Sequence, residues 1–311
     1  MIAEPRLRIA GRDRVGGFVS EAAAEHYLTV YRQSMAALPS VVAAFDVPTA
    51  FGTVRAYRFD GPAAGTPVLL LPGRNAATPM YRVNLPPLVG RRPVYGLDLL
   101  GEPGLSVQTR AITGSVDQAD WLAEAIAGLD LPAVHLLGTS IGGWSAVNLA
   151  VRRPERVASL ALLDPVMTFD RIPLAVLAAA IPLTVPGTPE IVRRRLLRWI
   201  SGGADVDDTV PEARLIDAGT TDFRLRLPAP TRITDAQLRA LDRPVLALLA
   251  GRSVMLRAEK AAARARRLVS HGQVEVWPAA SHAINGEYPG EIAERVTRFW
   301  DEADRTEAAP S

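Results

Sequence analysis

The chain has 311 residues, 48% of them hydrophobic, with 35 basic and 33 acidic side chains and a formal net charge of +2. That is enough apolar material for a sizeable core, and the near-neutral balance, with no basic stripe interleaved with aromatics, argues against nucleic-acid binding. There is no cysteine, which excludes disulfides, thiolate metal sites and a cysteine nucleophile. Residues 1–14 carry charges and no apolar run, so they are no signal peptide, and the longest apolar stretch, residues 173–185, is short and broken by proline; a cytoplasmic protein without stable membrane insertion is expected.

In chain order, residues 1–15 read as a flexible N-terminal tail. Residues 21–37 have helical apolar spacing through Tyr27, Tyr31 and Met35. Strand-like runs follow at 44–48 and 52–59, with Phe51-Gly52 as the turn. From there short apolar runs (68–71, 94–97, 134–137, 160–163, 245–250 and 274–277) alternate with helix-like segments at 116–129, 142–153, 257–268 and 291–301. Continuous apolar strands joined by helices predict an α/β fold with a mostly parallel sheet covered on both faces.

One stretch breaks the alternation. Residues 165–234 show no clear strand signal, and 172–181, 189–200 and 210–218 read as helices. The expectation is a core of residues 16–164 and 235–303, a helical lid over 165–234 inserted between two strands, and a flexible C-terminal tail over 304–311. Arg193, Arg194 and Arg195 fall on the second lid helix and read as a solvated face. The apolar segment 172–181 suggests a mainly hydrophobic small-molecule substrate.

The strongest local signal is Gly138-Thr139-Ser140-Ile141-Gly142, directly after one apolar run and before a helical segment. A serine on a sharp strand-to-helix turn needs glycines two residues to either side, because a Cβ there would clash. Such a turn lifts the hydroxyl of Ser140 above the sheet edge and aims the N–H of Ile141 at a developing oxyanion. The competing reading, a phosphate-binding turn, lacks both a lysine and a Gly-x-Gly-x-x-Gly spacing.

Serine needs a base, and the chain has four histidines. His26 lies in the first helix, His135 within a strand and His271 in a turn before the last strand. His282 alone is late in the chain and in a loop after a strand. A second oxyanion donor is expected from the loop Pro72-Gly73-Arg74-Asn75, through the N–H of Arg74. No cofactor and no metal are called for.

Leu71-Pro72-Gly73, Gly138 to Gly143 and Ser281-His282 together resemble the α/β-hydrolase superfamily, in particular its small bacterial carboxylesterase-like members; the resemblance covers roughly residues 16–302. Residues 94–101, ending in Asp98-Leu99-Leu100-Gly101, are similar to another of its core strands. The resemblance implies a serine hydrolase that cleaves a carboxylic ester through an acyl-enzyme. It also implies a triad acid after the strand that follows the lid, yet residues 248–256 contain no carboxylate. Asp164, ending the strand before the lid, is the expected substitute, as in certain dehalogenases and lipases of the superfamily; Asp170 and Glu287 are the runners-up. A second departure is Pro72, where many members have histidine. Three readings stay open: a thioesterase or a natural-product tailoring enzyme on the same fold, or a ligand-binding protein without catalysis. A haloalkane dehalogenase is disfavoured, because alkyl attack needs a carboxylate where Ser140 stands.

Overall fold

The computed structural model describes residues 4–180 and 210–308, together with residues 189, 191, 192, 195, 198 and 199. A short strand β1 (Gly17–Phe18) leads into helix α1 (Glu21–Ala36), whose first turn is capped by the Ser20 hydroxyl accepting from the Ala23 N–H at 3.1 Å. Strands β2 (Val41–Thr49) and β3 (Gly52–Phe59) form a hairpin. Its turn is Ala50-Phe51, one residue earlier than expected, because Gly52 already pairs with Thr49. Gly52 has φ +143°, and a Cβ on it would lie 2.2 Å from the Val107 carbonyl oxygen, so only glycine fits where the neighbouring strand passes.

Alternation of strand and helix then sets in, with β4 (Val68–Leu71), α2 (Leu85–Val89), β5 (Val94–Leu97), β6 (Val107–Gln108), α3 (Ser115–Gly128), β7 (Val134–Thr139), α4 (Ile141–Ala150) and β8 (Val157–Leu163). After β8 come α5 (Leu174–Ala180), α6 (Pro211–Asp222), β9 (Phe223–Arg224) and α7 (Asp235–Arg239). The core resumes with β10 (Val245–Ala250), α8 (Ala258–Leu268), β11 (Gly272–Trp277), α9 (Ile284–Glu287) and α10 (Pro289–Ala308).

Among the described residues, nine strands make one mixed sheet in the order β11-β10-β8-β7-β4-β5-β3-β2, with β6 on β3. The run from β11 to β5 is parallel, and β3 pairs antiparallel with β5, β2 and β6. Successive strand residues feed opposite faces. Leu69, Leu71, Leu136, Leu160, Leu162 and Leu249 pack under α3, α4 and α8 with Trp121 and Trp144. Leu70, Leu137, Leu163, Leu246 and Leu248 pack against α1 and α10 with Tyr27, Phe299 and Trp300. Burial on both faces is why these strands are mostly apolar, with the buried His135 of β7 and Ser159 of β8 bonded to each other.

Three features differ from the expectations. Residues 4–15, expected in a tail, are tied to the body: Phe18 donates to the Arg8 carbonyl, Ala10 donates to the Phe18 carbonyl, and Arg32 donates to Glu4. Residues 304–308, expected in the C-terminal tail, continue α10, where Asp304 accepts from Arg92 and Thr66. The segment 165–234 also carries β9, which pairs with β1. Half of the second expected lid helix, Arg193 and Arg194 included, lies outside the described residues. No described helix is long and apolar enough to cross a membrane.

Candidate active site

Because β4, β7, β8, β10 and β11 run parallel, the loops after them emerge at one edge of the sheet. Pro72 to Asn75, Ser140, Asp164, Ser253 and His282 all belong to these loops.

Ser140 sits between β7 and α4 with φ 55° and ψ −114°, a strained conformation for a residue with a side chain. Its N–H donates to the Leu163 carbonyl at 2.9 Å, and its carbonyl accepts from Trp144 at 3.2 Å and Val166 at 3.3 Å. The glycines are required by contact. A Cβ on Gly142 would lie 2.0 Å from the Leu71 carbonyl oxygen, and one on Gly138 would lie 2.5 Å from the Gly142 backbone.

Asp164 terminates β8, the strand beside β7, and is fully buried. Its Oδ1 accepts from the Ala250 N–H at 3.0 Å. Its Oδ2 accepts from the Ser253 hydroxyl at 2.6 Å and from His282 Nδ1–H at 2.6 Å. The other ring nitrogen of His282, Nε2, faces Ser140 Oγ at 3.0 Å. With the proton on Nδ1, as the carboxylate demands, Nε2 is an acceptor and the Ser140 hydroxyl donates to it.

The loop that carries His282 is braced by Glu287. The carboxylate accepts from the Ser281 N–H and the Ser281 hydroxyl, both at 2.7 Å, and the Arg252 N–H donates to the Ala280 carbonyl at 2.9 Å. Glu287 and Asp170, the alternative acids, are engaged elsewhere: Asp170 receives Arg257 Nε at 2.7 Å and Nη2 at 2.8 Å. His26 pairs with Asp222, and His135 is buried between Ser159 and Asp304.

The loop after β4 lies over Ser140, since a Cβ on Gly73 would stand 3.8 Å from the Ser140 Cβ. Ile141 opens α4, so its N–H belongs to the turn that has no intrahelical acceptor. Arg74 and Ile141 line a small cavity, room for about one water, with Leu99, Leu100, Gln118, Trp121, Trp144 and Ser145. On its polar side the Arg74 guanidinium meets the Glu102 carboxylate at 2.8 Å. Burial pushes the Glu102 carboxyl up, opposed by Arg74 and by the Asn75 N–H.

Sequence reasoning did not name Ser253 or Glu102. Each is an ordinary residue in an ordinary loop, and only the partner it meets in space marks it. Among the described residues, no group of three histidine, aspartate or glutamate side chains is arranged to hold a metal ion.

Residues 68–295 match the model of the alpha/beta hydrolase family. The chain is 27% identical over 281 residues to an uncharacterized carboxylesterase, nap, of Bacillus subtilis, which spans 88% of this chain and 92% of that one. It is 26% identical over 279 residues to carboxylesterase YbfK of the same organism, with 88% and 93% covered. The crystal structure of naproxen esterase (carboxylesterase NP) from Bacillus subtilis superposes with a TM-score of 0.82 at 27% identity, covering 90% of this chain and 99% of that one.

Proposed function

The chain belongs to the alpha/beta hydrolase family, and from that premise we propose that it hydrolyses carboxylic esters of small, mainly hydrophobic substrates through an acyl-enzyme on Ser140. The observation that carries this reading is the relay Asp164–His282–Ser140, with contacts of 2.6 and 3.0 Å. The carboxylesterase relatives supply the ester. The apolar segment 172–181 is what supports a hydrophobic substrate.

In this reading Ser140 Oγ attacks the ester carbonyl as its proton passes to His282 Nε2. Asp164 fixes the tautomer and stabilises the imidazolium that forms. The N–H groups of Ile141 and Arg74 receive the negative charge that develops on the carbonyl oxygen. Collapse breaks the bond to the alcohol, which leaves with the proton from His282. A water molecule, deprotonated by the same ring, then attacks the acyl carbon; the acid departs and Ser140 regains its proton. The described parts of the segment 165–234, α5 and α6 among them, are read as a lid over this edge.

The test is a fluorophosphonate probe, which phosphonylates activated serines. The folded protein should be labelled at Ser140 and should hydrolyse p-nitrophenyl esters, and Ser140→Ala should abolish both. A folded wild type that is neither labelled nor active on any ester would leave ligand binding without catalysis as the better reading.

A further inference from the structure

Glu102 lies outside the relay, yet both of its oxygens are committed to the loop that follows β4. Oε1 meets Arg74 Nη1 at 2.8 Å, and Oε2 accepts from the Asn75 N–H at 3.1 Å. The carboxylate is 1% exposed, whereas the Arg74 side chain is 35% exposed. A charged group is held out of water only where its partners compensate it, and here both partners are consecutive residues of a single loop. The loop needs such a hold. Asn75 has φ +57°, a left-handed conformation that costs free energy in a residue with a Cβ.

The same residue is also pressed by α6. Asn75 Nδ2 donates to the Thr220 hydroxyl at 3.0 Å, and a Cβ on Gly219 would lie 2.5 Å from the Asn75 carbonyl oxygen. The loop is thus held by a buried anion and by a helix at Arg74 and Asn75, with the Arg74 N–H immediately before the clamped points.

We infer that Glu102 is a positioning residue for the reaction: it sets the Arg74 N–H where the oxyanion of the tetrahedral intermediate forms. The inference rests on the serine-hydrolase reading above. A donor set in advance acts chiefly on the transition state, so its displacement lowers kcat more than it raises KM. Glu102 also leaves no net charge beside the cavity, since its anion and the Arg74 cation cancel.

The test is Glu102→Gln, which keeps the shape and loses one of the two acceptors and the charge. Expected is a fall in kcat of about 10- to 100-fold with KM changed less than about threefold. A trifluoromethyl ketone, which adds the Ser140 hydroxyl to give a tetrahedral adduct, should lose affinity by the same factor as kcat/KM. A folded Glu102→Gln protein with wild-type kcat and wild-type ketone affinity overturns the inference. Should that variant fail to fold, Arg74→Ala removes one arm of the clamp at a partly exposed side chain. It should show a smaller loss of the same pattern, and unchanged kcat and ketone affinity there overturn the inference equally. Wild-type labelling by the fluorophosphonate keeps the two readings apart: if it fails, the proposed function falls, and if it succeeds with both variants unaffected, only the role of Glu102 falls.

Discussion

Asp164→Asn is a nearly isosteric change whose consequence is dictated by what surrounds the group. The Ala250 N–H points at Oδ1 from 3.0 Å, so the amide must place its oxygen there and its NH2 where Oδ2 was. That NH2 then faces His282 Nδ1 at about the former 2.6 Å. Two donors cannot share the contact, so His282 gives up its Nδ1 proton and carries it on Nε2 instead. Nε2–H faces Ser140 Oγ and can no longer accept its proton. The Ser253 hydroxyl adapts by rotating its hydrogen away and accepting from the amide, so the fold is kept. A triad aspartate replaced in this way lowers kcat by about 10⁴-fold, or about 5 kcal/mol of transition-state stabilisation. The assay is steady-state hydrolysis of p-nitrophenyl acetate, with burst amplitude to count competent sites. KM should change little, and circular dichroism should overlay the wild type. A folded Asp164→Asn enzyme within about tenfold of wild-type kcat would refute the tautomer argument and remove Asp164 from the relay.

Two further perturbations test the frame that holds the site. Gly142→Ala drives a Cβ to 2.0 Å from the Leu71 carbonyl oxygen; a loss of about 3 kcal/mol or more, and a melting temperature lower by on the order of 5–10 °C, is expected from calorimetry. Wild-type melting would contradict that approach of β4 to α4. His135 protonates at lower pH than an exposed histidine: burial, opposed by Asp304 and reinforced by Arg92, pushes it down from 6.5 to about 4. The folded state therefore binds this proton more weakly than the unfolded state. The stability tied to the neutral ring is complete above pH 6.5 and is lost as pH falls towards 4, by about 3 kcal/mol. Chemical denaturation across that window should show a shallower fall for His135→Gln than for the wild type, and equal slopes would refute the assignment.

The strands that read most directly from the sequence are those buried on both faces. Residues 68–71, 94–97 and 245–250 coincide with β4, β5 and β10, because a fully buried strand and an apolar run are the same object. Ser140 is legible for a steric reason, since glycines at 138 and 142 leave a mark in one dimension. Other parts leave none. Strands β1 and β9 have two residues each, too few for any period. The extension of α10 past residue 301 is polar and is held from outside, through the pairing of Asp304 with Arg92. Asp164 could be named only through a resemblance, because a carboxylate's role depends on which ring nitrogen it meets. Ser253 and Glu102 show the limit most clearly: each meets a partner 89 or 27–28 positions away in sequence, and no local spacing encodes that.

The placement of Asp164 on the strand beside Ser140 has a mechanical consequence. Strands β7 and β8 are hydrogen-bonded neighbours in the middle of the sheet, so Ser140 and Asp164 ride on one rigid block. His282 hangs instead from the loop of the edge strand β11, with Glu287 as its strut. The three groups therefore do not share one fate under stress. Strain at the margin of the sheet would reach the ring of His282 before it reached the block that carries Ser140 and Asp164.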